Sequence, residues 1–366
     1  MKFTVDKSAL LPKLALASSI VTARPTIPIL DSIKLSIKDN KLTLYITDLE
    51  VGMISTIDVV SDSDIEICLP IKLLKDSISK LSDQKLDFKI SEGSCQVLYN
   101  SGKGSFRIPT YDASDYPSRK VGNEEYALTL SEGTVKGGFS RATRFVREDQ
   151  LRPALSGVLI DSTAEGVLFV ATDAHRLIVH KVGEAIPDQF SKTIPIKACR
   201  VIERLLSYDD KISTFAFDSN SGTFSIDDTA IEFRLIDGQF PKYKSVIPND
   251  NNNIVTLDRH LLINTVERAS IFCAQDSKHI SLGIDFMEIN ISTQDIDKGN
   301  EFAETIDAEG GSELSVGVRS DFLLDVLNTL TEEKIIIKAK EASRALLFTN
   351  ESSEDTICLL MPIVKQ

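Results

Sequence analysis

The stretch KFTVDKSALLPKLALASSIV, residues 2–21, decides the fold because its pattern occurs three times. ALTLSEGTVKGGFSRATRFV (127–146) and IVTLDRHLLINTVERASIFC (254–273) align with it without a gap. Each copy starts with an extended apolar tetrad and continues into an apolar stripe in steps of three and four residues, which marks one buried helix face. Self-similarity at one long period predicts tandem domains.

The helix in each copy has a candidate N-cap, namely Asp6, Ser131 or Asp258. We expect each cap side chain to accept from the unpaired N–H groups of the first turn. Pro12 and the Gly137–Gly138 pair fit a helix interior poorly. The residues predicted to form the buried stripes are Leu10, Leu14, Ala17 and Val21; Val135, Phe139, Ala142 and Val146; and Leu262, Val266, Ala269 and Cys273.

A second short helix is predicted in each repeat, by LPIKLLKDSISKL (69–81), IPIKACRVIERLL (194–206) and VGVRSDFLLDVLNTL (316–330). Segments between the helices, such as KLTLYI and GVLFVA, alternate with a period of two or stay apolar, which is typical of antiparallel strands. Each repeat is therefore predicted to be an α+β domain with two helices packed on antiparallel sheets. We place the three domains at residues 1–125, 126–250 and 251–366.

Composition predicts a globular protein of the cytoplasm. Apolar residues make up 42% of the chain, without a run near the roughly 20 residues of a membrane-spanning helix. The start, MKFTVDKSALL, lacks the pattern of a secretory signal. Five cysteines lie far apart and form no CxxC pair, which favours a reduced chain without a disulfide framework or zinc cluster.

The charge is distributed unevenly along the chain. A net charge of −13 argues against a nucleic-acid partner only if it is spread evenly. Five of the six predicted helices nevertheless have a positive formal charge. If the helices share one face of a curved array of domains, that face is basic and attracts a polyanion, while the rest repels it. The alternative is that each helix carries an ordinary solvated face.

The size of one domain then selects an assembly. A domain of about 125 residues has a radius of gyration of about 14 Å and a diameter of about 36 Å. A closed ring of three leaves a hole of about 6 Å and a ring of six about 36 Å, whereas duplex DNA is about 20 Å wide. A cyclic homodimer supplies six domains. The geometry predicts that two copies encircle duplex DNA.

Seven segments spread along the chain carry a resemblance to a known family: MKFTV (1–5), RPTIPIL (24–30), TDLE (47–50), ATDAHRL (171–177), DGQFPKY (237–243), LLDVLN (323–328) and LLMPI (359–363). In order and spacing they resemble the family of bacterial DNA polymerase III β subunits, the β sliding clamps, over the whole chain. The resemblance implies a ring-shaped homodimer that encircles DNA independently of sequence and performs no catalysis, with no cofactor and no metal. It also implies as partners the DNA polymerase III alpha subunit, a clamp loader, and other DNA polymerases and repair proteins with clamp-binding peptides.

The resemblance also implies the site residues. Arg24 contacts DNA, and the helix charges add Arg147 and Lys197 as candidates. At the dimer interface, Phe106 and Ile108 face Ile271 and Phe272 of the other subunit, and Lys103 and Arg107 pair with Glu301 and Glu304. The alternative is that Phe106 and Ile108 lie in their own domain's core. The cleft for short hydrophobic peptides is formed by Leu155, Thr172, His175, Arg176, Leu177, Pro241, Val246, Phe322, Leu360, Met361, Pro362 and Ile363.

Three cleft positions depart from the family pattern. Ala174 stands where glycine is usual, Ser245 where arginine is common, and Ile363 where methionine is common. We expect these departures to affect which peptides bind, while the site itself is kept. The competing hypothesis is a protein-binding scaffold that uses the same cleft without encircling DNA.

ATDAHRLIVH (171–180) also contains a candidate acid–base pair, Asp173 and His175. No serine or cysteine nucleophile fits them, and His175 and His180 lie on opposite faces of a predicted strand, which disfavours an enzyme or a metal site. SGKGS (101–105) lacks the earlier glycine of a phosphate-binding loop. ITDLEVGM (46–53) repeats the Thr-Asp of the second domain but not its His-Arg-Leu. We therefore expect Thr-Asp to form a turn or cap, and His-Arg-Leu to serve a local function.

Overall fold

The computed structural model describes residues 1–21, 25, 27–117 and 124–363. Within these residues it confirms the six predicted helices. The chain divides into two compact units, residues 1–136 with 197–235 and residues 137–196 with 236–366. The helices are α1 (Lys7–Ser18), α2 (Ile71–Ser79), α3 (Glu132–Ala142), α4 (Ile196–Leu205), α5 (Arg259–Phe272) and α6 (Ser320–Leu327).

The first unit contains two antiparallel sheets. Their strands, numbered along the whole chain, are β1 (Lys2–Asp6), β2 (Ser32–Lys38), β3 (Lys41–Thr47), β4 (Val51–Asp58), β5 (Val60–Ser61), β6 (Ile65–Pro70), β7 (Lys85–Ser91), β8 (Ser94–Tyr99), β9 (Gly104–Pro109), β10 (Tyr126–Ser131), β15 (Ile212–Phe217), β16 (Ser221–Ile226) and β17 (Thr229–Arg234). A five-stranded sheet has the order β5-β1-β7-β8-β9, and an eight-stranded sheet has the order β10-β15-β16-β17-β4-β3-β2-β6.

The second unit is built in the same way. Its strands are β11 (Gly157–Thr163), β12 (Gly166–Thr172), β13 (Arg176–Gly183), β14 (Phe190–Pro195), β18 (Asn253–Asp258), β19 (His279–Ile284), β20 (Glu288–Asp295), β21 (Asn300–Asp307), β22 (Glu309–Gly310), β23 (Leu314–Arg319), β24 (Lys334–Ala339), β25 (Leu346–Asn350) and β26 (Thr356–Leu360). A nine-stranded sheet has the order β14-β11-β12-β13-β26-β25-β24-β18-β22, and a four-stranded sheet the order β21-β20-β19-β23.

Each long sheet runs from one repeat into the next, which the sequence patterns did not predict. In the first unit β4 pairs with β17, and Val51 lies opposite Phe233. In the second unit β13 pairs with β26, and Arg176 lies opposite Leu360. We call the β4–β17 pairing the first seam and the β13–β26 pairing the second seam. The domain boundaries near residues 125 and 250 stay predictions.

The helix faces match the sequence pattern closely. Every predicted stripe residue is buried except Val21, which is half-buried. Asp258 caps α5 by accepting from the N–H of Leu261 at 2.7 Å, and Ser131 accepts from Thr134 at 3.3 Å. The prediction for Asp6 was wrong, because its side chain makes no cap hydrogen bond.

The residues that fit a helix poorly lie inside helices all the same. Pro12 is within α1 and the Gly137–Gly138 pair is within α3. A Cβ at Gly138 would lie 2.7 Å from the ring of Phe169, so a side chain here would push the helix off the sheet. Close packing overrides the weak helix propensity of glycine.

Candidate peptide-binding site

The turn between β12 and β13 is closed by two side chains. Thr172 Oγ1 accepts from the N–H of Ala174 at 3.1 Å and donates to the carbonyl of Arg176 at 2.7 Å. Asp173 Oδ1 accepts from the N–H groups of His175 and Arg176 at 3.0 and 3.1 Å. Ala174 at the tip has a φ of 72°, in the left-handed region that favours glycine. This backbone explains why glycine is the residue that best fits the position.

The same turn recurs between β3 and β4. Thr47 Oγ1 accepts from Leu49 at 3.0 Å and donates to the carbonyl of Val51 at 3.1 Å. Asp48 Oδ1 accepts from Glu50 and Val51 at 3.0 and 2.8 Å, and Leu49 has a φ of 80°. The recurrence confirms that Thr-Asp serves the fold.

Arg176 connects the turn to α6. Its guanidinium donates from Nε to Asp173 Oδ2 at 3.1 Å, from Nη1 to Asp325 Oδ2 at 2.5 Å, and from Nη2 to the carbonyl of Arg144 at 2.7 Å. The residue is only 3% exposed. Each of its three nitrogens therefore donates within the protein, and Arg176 supports the site as a buried residue.

Phe322 on α6 contacts one aromatic ring and three cationic side chains of the site. The ring of His175 stacks on it with 6.0 Å between centroids. The guanidinium carbons of Arg176, Arg319 and Arg147 lie 4.5, 4.7 and 4.9 Å from its centroid. Cations over an aromatic face are attracted by the ring quadrupole. Phe322 is itself only 5% exposed, so the three arginines pack around a buried ring.

Carboxylates offset this positive charge. Arg147 Nε lies 3.5 Å from Asp173 Oδ2, and Arg319 donates to Asp321 at 2.9 and 3.1 Å. Burial opposes ionisation of Asp321, but hydrogen bonds from Arg319 and Lys278 prevail and lower its pKa to about 2. Asp321 is therefore ionised at neutral pH.

The floor of the site is apolar. Leu155 and Leu177 pack in one cluster with Phe240 and Tyr243, together with Leu159, Leu168, Val170, Ala345, Leu347 and Leu359. The hydroxyl of Tyr243 donates to Asp161 at 2.7 Å, and this bond anchors the short 3-10 turn Tyr243–Val246. Because the hydroxyl is buried, the pKa of Tyr243 is raised and the group stays protonated. Val246 at the end of this turn is 58% exposed, and Pro241 before it is exposed.

The end of the chain lies beside His175. Leu360 is opposite Arg176 in the second seam, and the N–H of Met361 donates to the carbonyl of His175 at 2.8 Å. Ile363 donates to the carbonyl of Gly317 at 2.7 Å. Met361 is 41% exposed, and Pro362 and Ile363 are half-buried. The predicted cleft residues thus come from the short 3-10 turn Pro153–Leu155, the end of β12 and start of β13 with the turn between them, the 237–246 loop, α6 and the chain end, all within the second unit.

Sequence reasoning missed the roles of three residues at the site: Asp325 and Arg144 bind Arg176, and Arg319 lies over Phe322. Asp325 belongs to the LLDVLN segment of the resemblance, but no local pattern indicates that it or Arg144 contacts Arg176. Arg319 could have been found, because the repeat aligns it with Lys72 and Lys197 at the start of the second helix.

The three residues predicted to contact DNA do not share one environment. Arg24 lies outside the described residues. Arg147 has a side chain that is 55% exposed and lies against Asp173 and Phe322, at the rim of the candidate cleft. Lys197 at the start of α4 forms an ion pair with Asp48 Oδ2. Their contact with DNA stays a prediction.

The predicted dimer residues lie on two sheet edges and one helix end. On the edge strand β9, Phe106 is half-buried, whereas Ile108 is 1% exposed and belongs to its own core. At the end of α5, Ile271 is 77% exposed, and Phe272 is 37% exposed and stacks on Phe302. Lys103, Arg107 and Glu301 are exposed.

Glu304, a predicted partner of the basic residues on β9, is engaged within its own chain. Arg268 donates to its two carboxylate oxygens at 2.5 and 2.9 Å, and Thr265 donates at 3.2 Å. These hydrogen bonds, from Arg268 above all, hold the pKa of Glu304 below its usual value. An intersubunit pair at Glu304 must share or displace Arg268.

The titratable groups outside the candidate site form no metal centre among the described residues. In the described parts of the chain, no group of three or more His, Cys, Asp or Glu side chains is placed to hold a metal ion. His180 contacts Thr356 Oγ1 through Nδ1 at 2.8 Å, and burial lowers its pKa to about 4. Across residues 1–21, 25, 27–117 and 124–363, no helix is long and apolar enough to span a membrane.

Family models match three consecutive parts of the chain. They are described as the N-terminal, central and C-terminal domains of the DNA polymerase III beta subunit, and match residues 1–120, 130–242 and 244–364. Curated relatives include the beta sliding clamps of Haemophilus influenzae and Escherichia coli strain K12, each 28% identical over 99% of this chain and 100% of the relative.

Solved structures agree with these matches. A sliding clamp from Pseudomonas aeruginosa, DNA polymerase III subunit beta bound to griselimycin, has a TM-score of 0.95 with 25% identity over 100% of both chains. A DNA polymerase sliding clamp from Bacillus subtilis has a TM-score of 0.93 with 24% identity over 100% of both chains, which shows the fold. The prediction of tandem clamp domains and of a sliding clamp is confirmed, and the scaffold alternative is not favoured. The chain belongs to the DNA polymerase III beta subunit family of sliding clamps.

Proposed function

We propose that two copies of this sliding clamp close into a six-domain ring around duplex DNA and hold DNA polymerases on it through the candidate cleft. The proposal is carried by the consecutive matches to all three domains of one clamp family. The protein performs no chemistry of its own in this role, requires no cofactor, and works in the cytoplasm. Its domains are 1–125, 126–250 and 251–366.

The five- and four-stranded sheets, each built from one repeat only, support a head-to-tail dimer. The two long sheets each join neighbouring repeats, whereas the five- and four-stranded sheets end at β9 and β21. Joining β9 of one subunit to β21 of the other would create a nine-stranded sheet and satisfy the edge groups of both. Ile271, Phe272 and Phe106 would pack beside this joint, and Lys103 and Arg107 would face Glu301 and Glu304.

The DNA contacts of this proposal are sequence-independent. Arg24, Arg147 and Lys197 would meet phosphates, and each such contact adds salt-dependent affinity. Sliding is favoured by few and weak contacts. The engagement of Lys197 with Asp48 is consistent with a weak contact at that position.

The cleft would hold a short hydrophobic peptide from each partner. An apolar floor with a few polar groups at the rim is the usual composition of a peptide anchor site. His175 and Met361, both exposed, would contact the peptide, while Arg176 holds Phe322 in place. The proposed partners are the DNA polymerase III alpha subunit, the clamp loader, and other polymerases and repair proteins that carry such peptides.

Retention on DNA tests the ring. We expect protein loaded on nicked circular plasmid to remain bound and to dissociate when a restriction enzyme linearises the plasmid. Equal retention on circular and linear DNA contradicts the ring. Sedimentation of a monomer at working concentration would favour a scaffold that never encircles DNA.

Peptide affinity tests the cleft separately. We expect His175→Ala, or removal of residues 361–366, to weaken binding of a fluorescent clamp-binding peptide while the dimer survives. Glu50→Ala is the matched control, because Glu50 holds the equivalent place in the first turn. Unchanged affinity in the first two variants would show that the cleft assignment is wrong.

A further inference from the structure

Segment 243–251, which we call the strap, is fixed at its start to the second repeat. The hydroxyl of Tyr243 donates to Asp161 on β11 at 2.7 Å, and Lys244 Nζ donates to Glu165 in the turn after β11 at 2.9 Å. The strap then leads into β18, the first strand of the third repeat. It therefore connects two repeats within the second unit while it remains bound to the first of them.

The end of the strap is fixed to the turn between β24 and β25. Asn251 Nδ2 donates to the carbonyl of Lys338 at 3.0 Å and to the carbonyl of Ala345 at 2.9 Å. These two carbonyls belong to the two sides of the turn, so one side chain bridges them. Asn251 is only 9% exposed, and a bridge by a buried amide is shielded from competition by water.

Asp250 holds the same turn through its charged side chains. Its Oδ2 accepts from Lys340 Nζ at 2.6 Å and from Arg344 Nη1 at 3.0 Å. Hydrogen bonds from Lys340 and Arg344 lower the pKa of Asp250 to about 2. The carboxylate is therefore ionised at neutral pH, and the contact with both cations is present.

The equivalent turn of the first unit, between β15 and β16, closes on itself. It spans only residues 218–220, and Asp218 Oδ1 accepts from two following backbone N–H groups at 2.7 and 2.5 Å. The β24–β25 turn spans residues 340–345, and Asp250 and Asn251 bind it from outside. The position of the longer turn thus depends on the strap.

Between its two fixed ends the strap forms part of the candidate cleft. Val246, one of the predicted cleft residues, is 58% exposed, and Ile247 beside it packs on the apolar floor. Ala345 and Leu347, at the end of the β24–β25 turn, belong to that same floor. Pro248 fixes its own φ, which stiffens the strap after Val246. A movement at the end of the strap would therefore displace both the rim and the floor.

We propose that Asp250 and Asn251 are positioning residues of the candidate cleft, an inference that rests on the peptide-binding function proposed above. They hold the strap to the β24–β25 turn and so keep Val246 at the rim and Ala345 in the floor at one fixed separation. Supporting hydrogen bonds of this kind hold binding groups in their productive geometry. When they are lost, the site is assembled only part of the time, and the measured affinity falls by that fraction.

The experiment measures the affinity of the full-length protein for a fluorescent clamp-binding peptide of the DNA polymerase III alpha subunit. We expect Asn251→Ala to weaken binding about tenfold and Asp250→Asn about threefold, whereas Asp250→Glu, which keeps the carboxylate, retains most of the affinity. Glu309→Gln is the matched control. Glu309 pairs with Lys334 at 2.8 Å in the same sheet, so its replacement removes the same charge and an ion pair without changing the strap.

A second readout separates positioning from a general loss of stability. The same variants are tested with peptides in which each apolar residue in turn is replaced by alanine. A displaced strap weakens the contact of one apolar residue, so we expect the strap variants to have no further effect on the peptide that lacks this residue. A destabilised protein would lose affinity for every peptide alike.

The outcomes distinguish the strap from the cleft. If Asn251→Ala and Asp250→Asn bind like the wild type while His175→Ala binds more weakly, the cleft stands and the role of the strap is overturned. Equal weakening of every peptide, or the same loss in Glu309→Gln, would mean a general effect of stability or charge and would overturn it too. A wild type that does not bind the peptide overturns the cleft itself, and the strap with it.

Discussion

The first and second seams are two versions of one joint, and their difference separates fold from function. Both have a Thr-Asp turn with a left-handed third residue, and both connect the aspartate to a basic side chain. At the first seam Asp48 binds Lys197 of α4. At the second, Asp173 binds Arg176, which continues to Asp325 of α6. The shared part builds the turn, and the residues that follow it decide what each seam can bind.

The largest effect on stability is expected when the guanidinium of Arg176 is removed from the second seam. Arg176→Met leaves the carboxylate of Asp173, a residue that is 5% exposed, without its main partner, and breaking a buried pair in this way costs about 3–5 kcal/mol. We expect the free energy of unfolding, measured by urea denaturation with circular dichroism, to fall by about 3 kcal/mol. A loss below about 1 kcal/mol would show that Arg147 replaces Arg176.

How far the sequence predicts this joint follows from the range of each interaction. The helices, their buried faces and the repeated Thr-Asp depend on neighbours in the chain, and local periodicity predicts them correctly. The seams and the Arg176–Asp325 contact join residues far apart in sequence, so no spacing rule applies. Ile108 shows the same limit. The alternation along β9 predicts an apolar face, but it does not tell whether the chain's own core or another subunit covers that face.

The next difference is pH dependence. Across the second seam His180 faces Thr356, with Arg141 and Asp355 nearby, whereas the equivalent pair at the first seam is Ser55 and Thr229 at 2.7 Å. The pKa of His180 falls from its ordinary 6.5 to about 4, so the unfolded chain takes up the proton first. The stability from neutral His180 is complete above pH 6.5 and is lost as pH falls towards 4.

The measurement is the unfolding free energy at several pH values. We expect the wild type to lose on the order of 2 kcal/mol more than His180→Ser between pH 6.5 and 4.5. The variant copies the first seam and keeps a hydroxyl for Thr356. Parallel pH profiles for the two proteins would mean that His180 is solvated in both states.

A smaller loss is expected at the first seam. The side chain of Lys197 is 29% exposed, so water solvates part of its charge, and Asp48 keeps its backbone hydrogen bonds when the lysine is removed. Lys197→Met should lower the unfolding free energy by about 1 kcal/mol, well below the effect of Arg176→Met. If the two losses are equal, the seams differ in sequence but not in energy. Retention on DNA of the same variant also tests whether Lys197 contacts phosphates.

The smallest effect concerns the tip of the turn, where two opposing terms decide the sign. An alanine at a φ of 72° loses roughly 1–2 kcal/mol to the clash of Cβ with its carbonyl neighbour, which glycine avoids. Glycine in turn gives the unfolded chain more freedom, a loss of about 0.4–1 kcal/mol. Ala174→Gly should therefore stabilise the protein by about 0.5 kcal/mol. Ala171→Gly, in the buried strand β12, gains no such relief and should destabilise it; if both changes destabilise, the turn is not strained.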